Sequence, residues 1–180
     1  LTSGVEDSKE KYLMLESAIL DISVMGEYSF TTLPDEITNT MNIYLPGFFD
    51  KNRRINTSKN NFDIDITVYN TEELGRILHL PANLMQPVEI HGTINTVENK
   101  IWFDANIPYM TFGDMDIKKS KLDISAADSL LKINASTLLP LEPFDLDLDL
   151  KSTMVSDTIH AVLAFRNDTS RININGELKA

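Results

Sequence analysis

Cysteine is absent from this sequence of 180 residues, which removes disulfides, thiol nucleophiles and zinc–thiolate sites. The compartment stays open, because many periplasmic proteins also lack disulfides. Glycine is scarce, with 7 residues, and none builds a phosphate-cradling loop or a Gly-x-Ser-x-Gly elbow. No stretch approaches the roughly 18 to 20 apolar residues of a membrane-spanning helix. Leu1 to Lys11 is polar and charged, without the apolar centre of a signal peptide. Positive charge is in deficit: 16 Lys and Arg stand against 27 Asp and Glu, a net charge of −11. Nucleic acid is therefore excluded as a partner, since phosphate binding needs a basic patch. The same deficit argues against docking flat on an anionic membrane surface.

What is present points to strands. Hydrophobic residues make up 42% and charged residues 24%, a globular composition, and the apolar set leans to Ile, Leu, Val and Phe. The length fits one domain over 1–180, whose core needs no staples. Leu20, Ile22, Val24, Gly26, Tyr28 and Phe30 alternate with polar neighbours, the mark of a half-buried strand. At Pro34 the period changes to a helical one through Leu33, Ile37, Met41, Tyr44 and Leu45. Pro46-Gly47 stops that helix, placed at about 34–45. A second strand holds Phe62, Ile64, Ile66 and Val68. Asn70-Thr71-Glu72-Glu73 then caps a second short helix, placed at about 71–79.

From Val88 to the end nearly everything reads as strand, with turns at Thr96–Asn99, Ala126–Ser129 and Arg166–Ser170. The organisation is thus a polar end (1–11), a strand-helix-strand-helix part (18–87) and a β-meander (88–180). The expected fold class is mainly β: an antiparallel meander curled into a groove or partly open barrel, with two short helices. One face is apolar throughout and must be covered by helices, by the sheet itself or by a greasy ligand.

Two runs carry a family likeness. One is Gly26-Glu27-Tyr28-Ser29-Phe30 followed by Ile43-Tyr44-Leu45-Pro46. The other is Asn61-Phe62-Asp63-Ile64-Asp65-Ile66, Asn70-Thr71-Glu72-Glu73-Leu74, Leu78-His79-Leu80-Pro81 and Gln86-Pro87-Val88-Glu89-Ile90-His91-Gly92. Together they resemble an internal segment of the TamB family, the translocation-and-assembly-module proteins, within the wider AsmA-like group. The matching runs cover roughly residues 20 to 113. The resemblance implies an excerpt of a longer periplasmic β body, anchored in the inner membrane of a Gram-negative bacterium. It also implies a hydrophobic trough for phospholipid transport and outer-membrane biogenesis, and partnership with outer-membrane assembly machinery of the BamA/TamA type.

The candidate chemistry is sparse. Asp145, Asp147 and Asp149 lie on one strand face at spacings of about 6.5 to 7 Å, which suits an inverting carboxylate pair or a calcium site. In-line side chains on a rigid ladder do not converge, so a solvated face is the stronger reading, for Asp63 and Asp65 as well. His79, His91 and His160 lie in different elements without ligand spacing. Trp102 falls on the polar face, where a covering helix or loop is expected and a partner contact is the alternative. The sequons at Asn56, Asn134 and Asn167 are chance in a bacterial protein. Asp128-Ser129-Leu130 and Asp157-Thr158-Ile159 resemble a short O-glycosylation motif of some Gram-negative periplasms.

The expectation is therefore a non-enzyme with no catalytic residues, metal site or cofactor. Ile90, Ile94, Phe103, Ile107, Ile133, Leu146, Leu148, Leu163 and Phe165 are the candidates to line a groove for phospholipid acyl chains. A scaffold whose strand edges bind other proteins is the alternative. Aliphatic alternation by itself is more often an ordinary core, and the family likeness is what favours the trough.

Overall fold

The computed structural model describes residues 2–5, 10–44, 59–69 and 82–179. The strands are β1 (Thr2–Val5), β2 (Lys11–Leu15), β3 (Leu20–Glu27), β4 (Asn61–Val68), β5 (Ala82–Leu84) and β6 (Val88–Asn95). They continue with β7 (Lys100–Phe112), β8 (Met115–Ala127), β9 (Leu130–Leu141), β10 (Phe144–Val155), β11 (Thr158–Arg166) and β12 (Arg171–Lys179). One helix, α1 (Leu33–Tyr44), lies between β3 and β4. The helix expected over 71–79 lies outside the described residues. No helix among the described residues is long and apolar enough to cross a membrane.

The strands form one 12-stranded antiparallel sheet in which neighbours in sequence are neighbours in space. The exception is β5, which pairs with the far half of the long strand β7, beyond the stretch that β6 covers. The sheet is open: among the described residues β1 and β12 each have a partner on one side only. The expected antiparallel meander is present, and it includes two early strands, β1 and β2, inside or next to the stretch read as a polar end.

Tight hairpins make this order possible with few glycines. Asp128 and Ser129, at φ 51° and 62°, turn β8 into β9, and Ser156 and Asp157, at 48° and 65°, turn β10 into β11. Two consecutive positive φ values match the right-handed twist of the flanking strands. Short polar side chains tolerate that region better than branched ones.

Helix α1 starts after a turn in which the Thr32 and Leu33 amides both donate to the Ser29 carbonyl. Pro34 sits in its first turn, where no intrahelical donor is lost. Leu33 and Ile37 pack on Val24, Tyr28, Phe62 and Ile94, and Tyr44 at the far end packs on Ile101, Ala126 and Leu131. The helix thereby covers one side of the apolar face. Asn60 fastens this region: its side-chain oxygen accepts from the Ser29 amide at 2.8 Å, and its own amide donates to Thr96 Oγ1 at 3.0 Å.

The Tyr44 hydroxyl donates to the Asn99 carbonyl at 2.7 Å from a fully buried position. Burial raises the pKa of this hydroxyl, with the Asp128 charge adding to the shift. Tyr44→Phe should cost about 1 to 2 kcal/mol, because it leaves a carbonyl at the hairpin without its donor. Thermal unfolding should show a fall of about 3 to 6 °C for a chain of this size. An unchanged midpoint would mean that the hydroxyl adds nothing to the packing.

Candidate functional site

Strand register decides which candidate residues share a face. Three cross-strand rows follow from the pairings. The first runs Phe62–Ile94–Ile101–Ala126–Leu131–Met154–Ile159. The second runs Ile64–Gly92–Phe103–Ile124–Ile133–Ser152–Ala161, and the third Ile66–Ile90–Ala105–Leu122–Ala135–Leu150–Leu163. Beyond the third row, Ile107 pairs with Ser120, and Thr137 pairs with Leu148, which pairs with Phe165. Leu146 pairs with Leu139 one step further. Alternate residues of a strand point the same way, so all nine candidates lie on the apolar face.

They do not share one environment. Ile94 is buried beneath α1, and Phe103 packs against both buried clusters. Gly92 makes room for Phe103: a side chain at Gly92 would run into the Phe103 ring and approach Ile64 Cγ2 to 3.1 Å. Ile107, Leu148 and Leu163 line a depression of about 320 Å³ together with Leu122, Ala135 and Leu150. Ile90 stands in the same row as the last three, Ile133 one row nearer the helix, and Leu146 and Phe165 beside Leu148. Among the described residues, the apolar face is therefore sealed along the α1 side and open along the next rows.

Leu122 and Leu150 belong to alternations visible in the sequence, yet their place in the depression depends on pairing partners that the pattern does not name. Ser120 and Thr137 also line it, with hydroxyl oxygens 2.6 Å apart. They continue the register that pairs Lys121 with Ser136 and Leu122 with Ala135, and β8 bulges just beyond them, between Lys118 and Lys121, where Lys119 takes φ 52°. Such a bulge changes the step of a strand. Ile117 pairs with Met110, out of step with Ile107 and Leu122, as its odd spacing from Leu122 requires.

The opposite face is polar. Asp65 holds His91 Nδ1 at 2.7 Å, Asp63 accepts from Thr93 Oγ1 at 2.7 Å, and Glu177 stands 3.5 Å from His160. Asp149 accepts from Arg166, so the Asp145/Asp147/Asp149 row is not uniformly solvated: its last member is an ion-pair partner. No three acidic, histidine or cysteine side chains converge on a metal-sized site among the described residues. Trp102 stands 42% exposed on this face, so the described residues do not give it the full cover expected. The Asn167 side chain accepts from the amides of Thr169 and Ser170 and so shapes its turn; His79 and Asn56 lie outside the described residues.

The hydrogen bond to Asp65 raises the His91 pKa above its usual 6.5, helped by the charges of Asp104, Asp65 and Glu89 and opposed by burial. A folded pKa above the unfolded one means that the contact stabilises fully below the unfolded value. That contribution is lost as pH rises through the raised folded value. Replacing His91 by Asn should therefore lower the melting temperature more at about pH 5.5 than at about pH 8.5. Equal losses at both would show that the pair does not report on protonation.

No family model, no curated protein and no solved structure matches the chain.

Proposed function

We propose that this chain is a segment of a periplasmic β body that shields phospholipid acyl chains in its open apolar groove. On this reading the parent protein is TamB-like or AsmA-like, anchored in the inner membrane of a Gram-negative bacterium. It serves phospholipid transport and outer-membrane biogenesis together with BamA/TamA-type assembly machinery, without enzymatic activity. The observation that carries the reading is the depression between Leu122, Leu148 and Leu163, apolar and uncovered by any described residue, beside a helix-sealed core. The family likeness of residues 20 to 113 gives that depression a meaning.

The magnitudes fit passage better than storage. At about 30 Å³ for each group, the share of a water molecule, the depression holds about ten methylene-sized groups. Full burial would be worth about 0.8 kcal/mol per methylene, and an open groove shields about half of that. The resulting 4 kcal/mol or so corresponds to roughly millimolar affinity, weak enough for a chain to be handed onward.

Site-specific photo-crosslinking in the periplasm of a Gram-negative host tests this. A benzophenone side chain at Leu148 or Leu163 should capture phospholipid, whereas one at Asp145 or Asn175, on the polar face, should not. Equal capture from both faces, or none from Leu148 and Leu163, would reject the groove.

A second reading has its own observation. Edge strand β12 is exposed along its whole length, and Ile172, Ile174 and Leu178 are 61%, 55% and 57% exposed. An uncovered apolar edge can pair with another strand, as a scaffold would require. Crosslinking confined to β12, and to protein rather than lipid, would favour it.

A further inference from the structure

The depression ends at one side in a polar notch, which the apolar reading of the groove does not use. Ser120 and Thr137 form the hydroxyl pair already described, and the single Thr137 proton can go either to Ser120 at 2.6 Å or to the Lys118 carbonyl at 3.4 Å, the first being the shorter contact. When Thr137 donates to Ser120, the Ser120 proton is free to meet an acceptor. The Lys118 ammonium lies 5.2 Å from the centre of the Tyr109 ring. Tyr109 follows Ile107 on the same face of β7 and pairs with Lys118. Among the described residues Lys118 has no carboxylate within ion-pair distance. Its neighbour Asp116 accepts instead from the Tyr109 hydroxyl at 2.9 Å.

An unpaired cation and a turnable hydroxyl beside an alkyl-sized depression are complementary to an amphiphile. Lys119 and Lys121, by contrast, line depressions shared with Asp147 and Asp149 and with Asp123 and Asp149, which leaves Lys118 as the cation on the Tyr109 side. We infer that the β8 bulge is a head-group station: the phosphate of a phospholipid meets Lys118 and the Ser120–Thr137 pair while its acyl chain lies along Leu122, Leu148 and Leu163. A phosphate fits better than a carboxylate, because Lys118 and Ser120 stand at separate positions along β8 and a phosphodiester presents oxygens in more directions. This inference rests on the acyl-chain reading of the groove and adds to it a fixed polarity of the bound lipid. Ser120 on β8 and Thr137 on β9 together interrupt the apolar alternation at the groove's rim.

The test titrates the whole chain, below micelle-forming concentrations, with three probes of equal chain length. These are lauroyl lysophosphatidylglycerol, the uncharged monolauroylglycerol and laurate. The lysophospholipid should bind most tightly, and added salt should weaken the two charged probes only. Lys118→Gln should weaken lysophospholipid binding about five-fold and leave monolauroylglycerol within about two-fold. The double variant Ser120→Ala/Thr137→Ala should act in the same direction with Lys118 intact, with melting curves confirming that each variant folds. If both lipid probes bind but the variants change neither, or change both equally, the head-group station is wrong and the groove stands. Tighter binding of laurate than of the lysophospholipid would overturn the phosphate assignment. Failure of every probe to bind would overturn the acyl-chain reading itself.

Discussion

Leu131→Asp should prevent folding, whereas Leu148→Asp should leave a folded chain that no longer handles lipid. The two leucines lie on adjacent strands and on the same face, so the contrast isolates what covers them. Leu131 is 1% exposed beneath Tyr44 and Ala126. A carboxylate there has neither water nor a partner, which costs about 5 kcal/mol or more. That loss is comparable with the whole stability of a typical domain, about 5 to 15 kcal/mol. Leu148 is half-buried at the open depression, where an aspartate reaches water and the loss is limited to packing, about 1 kcal/mol. Thermal unfolding of both variants, with titration of the Leu148→Asp chain by a short-chain phospholipid, gives the paired reading. A Leu148→Asp chain that fails to fold would mean that the groove is closed.

The second large effect should come from Gly26→Ala. Gly26 sits in β3 between Lys11 of β2 and Phe62 of β4, at φ 132°. That conformation is almost closed to residues with a side chain. An added Cβ would also strike the Asn61 carbonyl oxygen and come within 2.7 Å of Phe62 Cα. Both are backbone atoms of a paired strand and cannot swing aside. The substitution should cost about 2 to 4 kcal/mol, or roughly 10 °C in melting temperature at this size. A change below about 2 °C would show that the β3–β4 pair can shift to accept it.

Much of this architecture was legible in the residues. The alternation from Val88 onward names one apolar face, and pairing preserves it from Ile90 to Leu163 because a period of two fixes the side of every residue. The change of period at Pro34 gives α1 within a residue or two. β1 and β2 were not legible: Thr2–Val5 and Lys11–Leu15 are short, and Lys11-Tyr12-Leu13-Met14-Leu15 shows no alternation. The groove was half legible. Periodicity says that Ile94 and Leu148 face the same way, but α1 covers the first and not the second, and only tertiary packing decides that. Ser120 and Thr137 fall in phase with Leu122 and Ala135, so their side was legible, but their meeting across the strands depends on a register that the polar stretch Lys118-Lys119-Ser120-Lys121 does not name.

The central claim, that the open rows of the apolar face hold an acyl chain, is tested most directly by a methyl-resolved NMR titration. The probe is a short-chain phospholipid below its micelle-forming concentration, added to the intact chain. The account predicts saturable shifts at the methyls of Ile107, Leu122, Leu148, Leu150 and Leu163, with Ile94 and Leu131 unmoved beneath α1. Shifts confined to Ile172, Ile174 and Leu178 on β12, or no shift at any of these methyls, would contradict it.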